Sequence, residues 1–405
     1  MRILKWLGYA LFVLVAVIAI LAFFNWERLV RLNSVNTLFS AEKIVTNFSN
    51  MDDAFYTVPI PSDGDVEAWE EAPLDIPASF DSPLGEKQTE DWLAESRTTS
   101  LIVVQDGKIA FEEYYLDTQP DDLRVSWSLA KSFLSAAFGV AVADGLISLD
   151  APVDQYVPLL SNSAYAGVSV RNVLNMASGV KFNEDYLDFW SDINKMGRVL
   201  ALGGSMDEFA ASIKEREREA GTVRQYVSID THVLAMVLRA ATGNTLPDYL
   251  AEKILTPIGL EKAPYYLSDS EGNAFALGGL NLTTRDYARF GQMMLQNGRW
   301  YGKQIVPSGW VVSSTIESAP RPDPEDGFGY GYQWWIPDGS IENGGDFLGR
   351  GIYGQYIYVN PRTDTVIVRT AANRDFRSDL GNGEIESDIY VAMFRAFSWS
   401  LSQED

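Results

Sequence analysis

The chain has 405 residues, 46% of them hydrophobic and 21% charged, a composition typical of a globular protein and not of a disordered or fibrous one. It has no cysteine and one histidine, which excludes disulfides, iron–sulfur clusters, a cysteine nucleophile and any zinc site built from several imidazoles. The net charge is −23, and because an acidic surface repels phosphate we expect no binding to nucleic acid.

The chain begins with an apolar segment. Residues 6–24 are uncharged, and as a helix they span roughly 28 Å, close to the ~30 Å hydrocarbon core of a bilayer. Trp6 and Trp26 lie at its two ends, where interfacial tryptophans are common. The segment is longer than the ~7–15 apolar residues of a signal peptide and has no typical cleavage site. We therefore predict a single-pass membrane anchor over residues 1–31, with the rest of the chain periplasmic or extracellular. A cleaved signal peptide and a buried soluble helix are the alternatives.

A polar connector is predicted over residues 32–97, because turn formers and acidic residues interrupt any sustained periodicity there. Regular structure is expected from Ser100 onward. The β-rich runs 100–105 and 108–115 surround an Asp-Gly pair, a pattern that predicts a β-hairpin. We assign residues 98–405 to one folded domain.

The rest of the chain alternates between helical and strand patterns. Residues 128–143 are apolar on nearly every face, which predicts a buried helix. Residues of about 150–270 are mainly helical in pattern and form a predicted insertion. Further elements are predicted as a helix over 284–297, strands over 330–336, 354–361 and 364–369, and a helix over 387–401. The order predicts an α+β fold, in which an antiparallel sheet from both ends of the chain is flanked by helices.

Because the chain has no cysteine and only one histidine, the candidate nucleophile is a serine, activated by a lysine that burial keeps uncharged. In Ser-x-x-Lys on a helix, both side chains lie on one face. The pattern occurs three times, at Ser40/Lys43, Ser128/Lys131 and Ser178/Lys181. Only Ser128 and Lys131 lie on the buried helix, so we select this pair. The alternatives are a helix cap for Ser128 and a surface amine for Lys131.

Several segments resemble the serine β-lactamase and penicillin-binding-protein superfamily, especially the hydrolases related to class C β-lactamases. The similar segments, which are spread over residues 98–400, are 128–131 with 144–153, 171–179, 257–260 and 278–288. The resemblance implies a β-lactamase/transpeptidase-like fold with an inserted helical subdomain. It also implies an acyl-enzyme mechanism with no metal and no cofactor.

The family's second motif, Tyr-x-Asn, is matched best at residues 226–228. The resemblance implies that Tyr226 exchanges protons with Ser128 and the leaving group, while Lys131 keeps the phenolic proton mobile. Ser228 replaces the asparagine, which weakens the usual contact to the substrate. The alternative for Tyr226 is a packed loop aromatic.

The family's third motif, Lys-Thr-Gly or His-x-Gly, has no literal copy, and the matching position begins at Gly349. The resemblance implies that the backbone N–H of Ile352 completes an oxyanion hole with the N–H of Ser128, and that Gly351 borders the substrate. The missing cation argues against β-lactams and D-Ala-D-Ala tails. Arg350 either substitutes for it or faces solvent.

Residues 182–192 and 351–355 resemble hydrolases of 6-aminohexanoate oligomers and related carboxylesterases. In that branch a tyrosine closes over the substrate, and Tyr186 occupies the matching position. We expect His232 to be a helix residue with a satisfied hydrogen bond.

The function predicted is that of a serine hydrolase acting on ester or amide bonds of small molecules. The alternatives are a cell-wall DD-peptidase or β-lactamase, and a non-catalytic penicillin-recognising domain. The sequence predicts no particular substrate or oligomeric state.

Overall fold

The computed structural model of the protein describes residues 2–321, 327–375 and 383–402. Its strands are β1 (Tyr56–Pro59), β2 (Ser79–Ser82), β3 (Gly85–Gln88), β4 (Thr98–Gln105), β5 (Lys108–Tyr114), β6 (Arg124–Val125), β7 (Tyr265–Ser268), β8 (Leu280–Leu282), β9 (Arg299–Trp300), β10 (Lys303–Gln304), β11 (Phe328–Tyr330), β12 (Trp335–Pro337), β13 (Phe347–Gly351), β14 (Gln355–Asn360) and β15 (Thr365–Ala371). Its α-helices are α1 (Arg2–Phe24), α2 (Trp26–Thr37), α3 (Ile44–Asn47), α4 (Thr89–Glu95), α5 (Ala130–Ala143), α6 (Val153–Tyr156), α7 (Val170–Leu174), α8 (Asp192–Ala201), α9 (Met206–Ser212), α10 (Ser228–Thr242), α11 (Leu246–Leu250), α12 (Thr256–Ile258), α13 (Thr284–Leu295), α14 (Ser308–Ser314) and α15 (Gly383–Leu401).

The main sheet has seven antiparallel strands in the order β11-β12-β13-β14-β15-β4-β5. Strand β4 pairs with β15, so strands from the two ends of the domain are neighbours in one sheet, as the sequence predicts. Side chains alternate along β4 between the two faces. Leu101 and Val103 belong to the core cluster that contains α15, whereas Ile102 and Val104 belong to the core shared with α5 and α13. Both faces of the sheet are therefore covered by helices.

Helix α5 is buried along its length, which confirms the prediction for residues 128–143. A single 3₁₀ turn, Trp127–Leu129, precedes it. A Cβ at Gly139 would collide with the ring of Trp310, so this glycine allows helix α14 to pack closely against α5. Helices α6 to α12 lie between α5 and β7, over the residues of about 150–270 that the sequence analysis assigns to a helical insertion.

The structure differs from the sequence predictions in two places. The single strand expected over residues 330–336 is a hairpin, in which Tyr330 of β11 pairs with Trp335 of β12. Its turn contains Gln333 in a left-handed conformation (φ 65°). An alternation of apolar residues extends through this turn, so the sequence pattern does not reveal the reversal.

Regular structure also begins before Ser100. Strand β1 pairs with β7, and the buried side chains of the segment predicted as a connector include Leu38, Ile44, Phe48 and Met51. These four residues belong to the main core. The segment therefore packs on the domain, through single apolar residues that are too widely spaced to show a periodic pattern.

Helix α1 contains one stretch, Lys5–Phe24, that is long and apolar enough to cross a membrane, with a mean hydropathy of 2.8 and none of it buried. A signal sequence meets the same criteria. The assignment of this helix as an anchor stays a prediction.

Candidate active site

Ser128 lies in the 3₁₀ turn that leads into α5. The preceding residue, Trp127, has a φ of 43°, an unfavourable conformation for a bulky side chain. Its ring packs against those of Phe48 and Tyr353, with centroid distances of 5.5 Å and 5.7 Å. These contacts hold the turn in place, so aromatic packing fixes the position of the Ser128 hydroxyl.

The amine of Lys131 lies next to that hydroxyl. Nζ is 3.1 Å from Ser128 Oγ and 2.9 Å from the carbonyl oxygen of Leu277. The side chain is buried, and burial lowers the pKa of Lys131 to about 7, although the negative charges of Glu184 and Asp230 act in the opposite direction. A lysine with this pKa is largely neutral in mildly alkaline solution, so it is able to accept a proton from Ser128.

Tyr226 lies on the loop just before α10. Its ring stacks on Trp335 with centroids 5.4 Å apart, and the ring centroid is 5.3 Å from Lys131 Nζ. Burial raises the pKa of Tyr226 above its usual value, against the lowering effects of the Ser128 hydroxyl and the Arg350 charge. The phenol is therefore protonated at neutral pH and is suited to donate a proton.

A cavity of about 220 Å³ opens onto these groups. Six of its lining residues are Ser128, Tyr186, Tyr226, Arg350, Gly351 and Ile352. Five of these six, all except Arg350, are site residues predicted from the sequence. Lys131 is hydrogen-bonded to the hydroxyl of Ser128, which lines the cavity. Ser228 is the exception, because its hydroxyl and its backbone N–H both donate to Glu184.

Glu184 is a polar residue of the site that the sequence reasoning missed. In addition to Ser228, the hydroxyl of Tyr186 donates to Glu184 Oε1 at 2.9 Å. Burial raises the pKa of this carboxyl, while the hydrogen bonds from Ser228 and the charge of Lys131 act against the rise. The sequence signal for Glu184 is its place in the segment that resembles the 6-aminohexanoate hydrolases, two residues before Tyr186.

A second buried acid, Asp230, lies in the first turn of α10. It accepts hydrogen bonds from Tyr165 Oη at 2.7 Å and Ser178 Oγ at 2.9 Å. Burial raises its pKa to about 7. Ser178 belongs to one of the three Ser-x-x-Lys pairs, and the structure assigns its hydroxyl to this hydrogen bond.

The end of strand β13 lies directly against the turn that contains Ser128. A Cβ at Gly351 would collide with the carbonyl oxygen of Ser126 and lie 3.2 Å from the backbone nitrogen of Ser128. Only glycine allows this approach, and the next residue, Ile352, lines the cavity together with Ser128.

The two neighbouring positions on β13 face opposite ways. A Cβ at Gly349 would lie 3.2 Å from Ser132 Oγ, so this position points at helix α5. Arg350 lines the cavity, where Nη1 donates to Ser387 Oγ at 2.8 Å. Its guanidinium lies 4.8 Å from the ring centroid of Trp335. Arg350 therefore faces the cavity and not bulk solvent.

His232 lies within α10 and its Nε2 is 2.9 Å from Asp207 Oδ1, a partner of the kind that the sequence analysis expects. Asp207 also accepts from Arg239. The described residues include no group of three or more acidic or histidine side chains able to hold a metal ion.

Comparison with known proteins identifies related chains. A family model described as Beta-lactamase matches residues 88–385. The 6-aminohexanoate-dimer hydrolase of Paenarthrobacter ureafaciens is 31% identical over 322 residues, which cover 76% of this chain and 80% of that protein. A protein of Bacillus anthracis, provisionally named a 6-aminohexanoate-dimer hydrolase, shares the fold with a TM-score of 0.81 and 24% identity over 90% of this chain and 96% of its own. A D-stereospecific amidohydrolase of a Streptomyces species shares it with a TM-score of 0.57 and 19% identity, over 74% of this chain and 96% of its own.

Proposed function

Since this chain belongs to the beta-lactamase family and is a hydrolase related to 6-aminohexanoate-dimer hydrolase, we propose that it cleaves ester or amide bonds of small molecules through an acyl-enzyme on Ser128. The observation that carries the proposal is the distance of 3.1 Å between Ser128 Oγ and the buried amine of Lys131. Because burial of its charge is costly, a lysine buried beside a hydroxyl is favoured in its neutral form, in which it is able to accept the hydroxyl proton.

In the proposed acylation, neutral Lys131 takes the proton of Ser128 while Oγ attacks the substrate carbonyl carbon. The resulting oxyanion accepts hydrogen bonds from the backbone N–H groups of Ser128 and Ile352. The tetrahedral intermediate collapses when Tyr226 donates its phenolic proton to the departing oxygen or nitrogen. Lys131 then returns a proton to Tyr226, and a water molecule repeats the sequence to release the acid and restore Ser128.

The positions of Glu184 and Asp230 support this scheme. Asp230 is buried and Glu184 half-buried, and the negative charge of each raises the pKa of Lys131, so they favour its protonated form during the reaction. Glu184 also holds Tyr186 and Ser228 by hydrogen bonds. We assign Glu184 as a positioning residue and Tyr186 as a wall of the substrate cavity.

The cavity favours small, neutral substrates. No cation lies at Gly349, and the direction of this position leaves no room for one beside the substrate. The alternative activities of DD-peptidase or β-lactamase require recognition of a carboxylate, for which this strand offers only Arg350, already bonded to Ser387. We therefore favour esterase or amidase activity. We also propose that helix α1 anchors the enzyme in a membrane.

Covalent labelling tests the nucleophile. A fluorophosphonate should modify the full-length chain once, and peptide mapping should place the modification on Ser128. Ser128→Ala should abolish labelling and ester hydrolysis while it lowers the unfolding free energy by only ~1 kcal/mol, the range of one lost hydrogen bond, here the one with Lys131. Ser40→Ala is the matched control, because Ser40 belongs to another Ser-x-x-Lys pair outside the cavity. Full activity of Ser128→Ala would refute the proposal.

A further inference from the structure

A short loop beside the active-site cavity exposes three large apolar side chains. Leu187, Phe189 and Trp190 are 60%, 59% and 71% exposed. Outside α1 and α2, no other stretch of four residues in the described part of the chain exposes as many large apolar side chains. Such a concentration on a protein surface usually marks an interaction site.

The loop is firmly held, so its exposure is not that of a loose segment. Arg198 of α8 donates to the carbonyl oxygen of Phe189 at 2.8 Å, and its guanidinium lies 4.2 Å from the Phe189 ring centroid. Asn194 donates to the carbonyl oxygen of Asp188 at 2.8 Å. The rings of Phe189 and Trp190 pack edge to face, 4.9 Å apart. Helix α8 thus presents a fixed aromatic pair to the exterior.

The loop lies on the side of the domain to which the N-terminal helix connects. Helix α8 packs against α2, which directly follows α1. The guanidinium of Arg31, in α2, lies 3.7 Å from the ring centroid of Tyr56, and Tyr56 contacts Gly203, which lies just after the end of α8. We call Leu187, Phe189 and Trp190 the apolar patch.

We propose that the apolar patch docks on the lipid bilayer that α1 spans, with Phe189 and Trp190 in the interfacial layer. This proposal rests on the anchoring proposed above. Tryptophan prefers the interface between hydrocarbon and headgroups, and Phe and Leu are typical of apolar faces that insert at the headgroup and acyl boundary. Helix α2, which packs against α8, also exposes Leu29, Val30 and Leu32. Because α1 already ties the domain to the membrane, docking of these apolar side chains does not have to overcome the entropy lost in a separate binding event.

This docking has a consequence for the substrate. Tyr186, which lines the cavity, directly precedes Leu187 of the patch. One wall of the active-site cavity therefore lies next to the membrane surface. The substrate class that fits this placement is an ester or amide with an apolar chain, which partitions into the bilayer and reaches Ser128 from the interface.

The depth of the patch is directly measurable, because the chain has no cysteine of its own. Trp190→Cys in the full chain would carry a nitroxide spin label, with the protein reconstituted in phosphatidylcholine vesicles. Ile341→Cys is the matched control, since Ile341 is an apolar residue with 88% exposure and lies outside the patch. We expect the label at 190 to be accessible to oxygen and shielded from a water-soluble nickel chelate, and the label at 341 to show the reverse.

The other outcomes separate the two proposals. Equal nickel accessibility at 190 and 341, in protein that sediments with the vesicles, would overturn the docking and leave the anchor intact. Failure to sediment with vesicles would overturn the anchor and the docking with it. Spin–spin broadening at 190 would show that a second copy of the chain covers the patch, and would also overturn the docking.

Activity provides a second test. The triple variant Leu187→Ser, Phe189→Ser, Trp190→Ser should hydrolyse p-nitrophenyl decanoate in vesicles about tenfold more slowly than the parent, equivalent to ~1.4 kcal/mol. Its hydrolysis of dissolved p-nitrophenyl acetate should be unchanged, because the cavity is untouched. Ile341→Ser should alter neither rate. Equal loss on both esters, or no loss on the decanoate, would contradict the proposed route from the membrane.

Discussion

At the scale of single residues, the charge state of Lys131 controls the proposed reaction. Burial lowers its pKa to about 7, and only the neutral amine accepts the Ser128 proton. We expect kcat/KM for a neutral ester to fall about tenfold per pH unit below pH 7 and to level off above it. An ordinary lysine, with a pKa of ~10.4, would give a rate that still rises at pH 9. A pH profile with p-nitrophenyl butyrate distinguishes the two.

Glu184 provides a charge test of the same site. Its carboxylate raises the pKa of Lys131, so Glu184→Gln should lower that pKa and move the acid limb of the profile to lower pH. A purely structural role for Glu184 would reduce the rate at every pH without moving the limb. Glu215→Gln is the control, because Glu215 pairs with Lys181 at the surface. An unmoved limb in Glu184→Gln would contradict the electrostatic role.

The third prediction at this scale concerns Gly349. A charge-assisted hydrogen bond to a substrate carboxylate contributes ~1.5–3 kcal/mol, roughly one to two orders of magnitude in specificity. We expect measurable hydrolysis of p-nitrophenyl acetate and little turnover of nitrocefin. Gly349→Lys should not create nitrocefin turnover, since the position points at Ser132 of α5. Nitrocefin turnover faster than that of any simple ester would contradict this, and its loss in Arg350→Ala would assign the missing role to Arg350.

At the scale of elements, the proposed oxyanion hole depends on the contact of β13 with the turn that contains Ser128. A methyl group at Gly351 collides with the Ser126 carbonyl, so Gly351→Ala should push Ile352 away from Ser128. We expect kcat to fall by about 10²–10³, the usual effect of removing one oxyanion donor. Gly349→Ala, on the same strand, brings its methyl group 3.2 Å from the Ser132 hydroxyl and into ordinary contact with Leu129, and it meets no backbone atom, so it should have a much smaller effect. Similar losses in the two variants, with unchanged melting temperatures, would argue against this role of β13.

At the scale of the whole molecule, the predicted anchor and the domain are separable. Removal of residues 1–24 deletes α1 and keeps α2, whose Arg31 packs on Tyr56. The shortened chain should be active on p-nitrophenyl acetate and released from membranes by alkaline carbonate, whereas the full chain should need detergent. Resistance of the shortened chain to carbonate would show that α1 is not the anchor.

Local sequence determined much of this protein. The apolar runs of β4, β15 and α5, and the residues Ser128, Lys131 and Tyr226, are recognisable because each depends on a short pattern along the chain. The tertiary structure decided what depends on residues far apart in sequence. Ser228 faces Glu184 because α10 packs against the 182–192 segment, and Arg350 faces the cavity because of the register between β13 and β14. The burial of Glu184 and Asp230, and the packing of residues 38–60 on the core, likewise depend on distant partners, since burial is a property of the assembled fold.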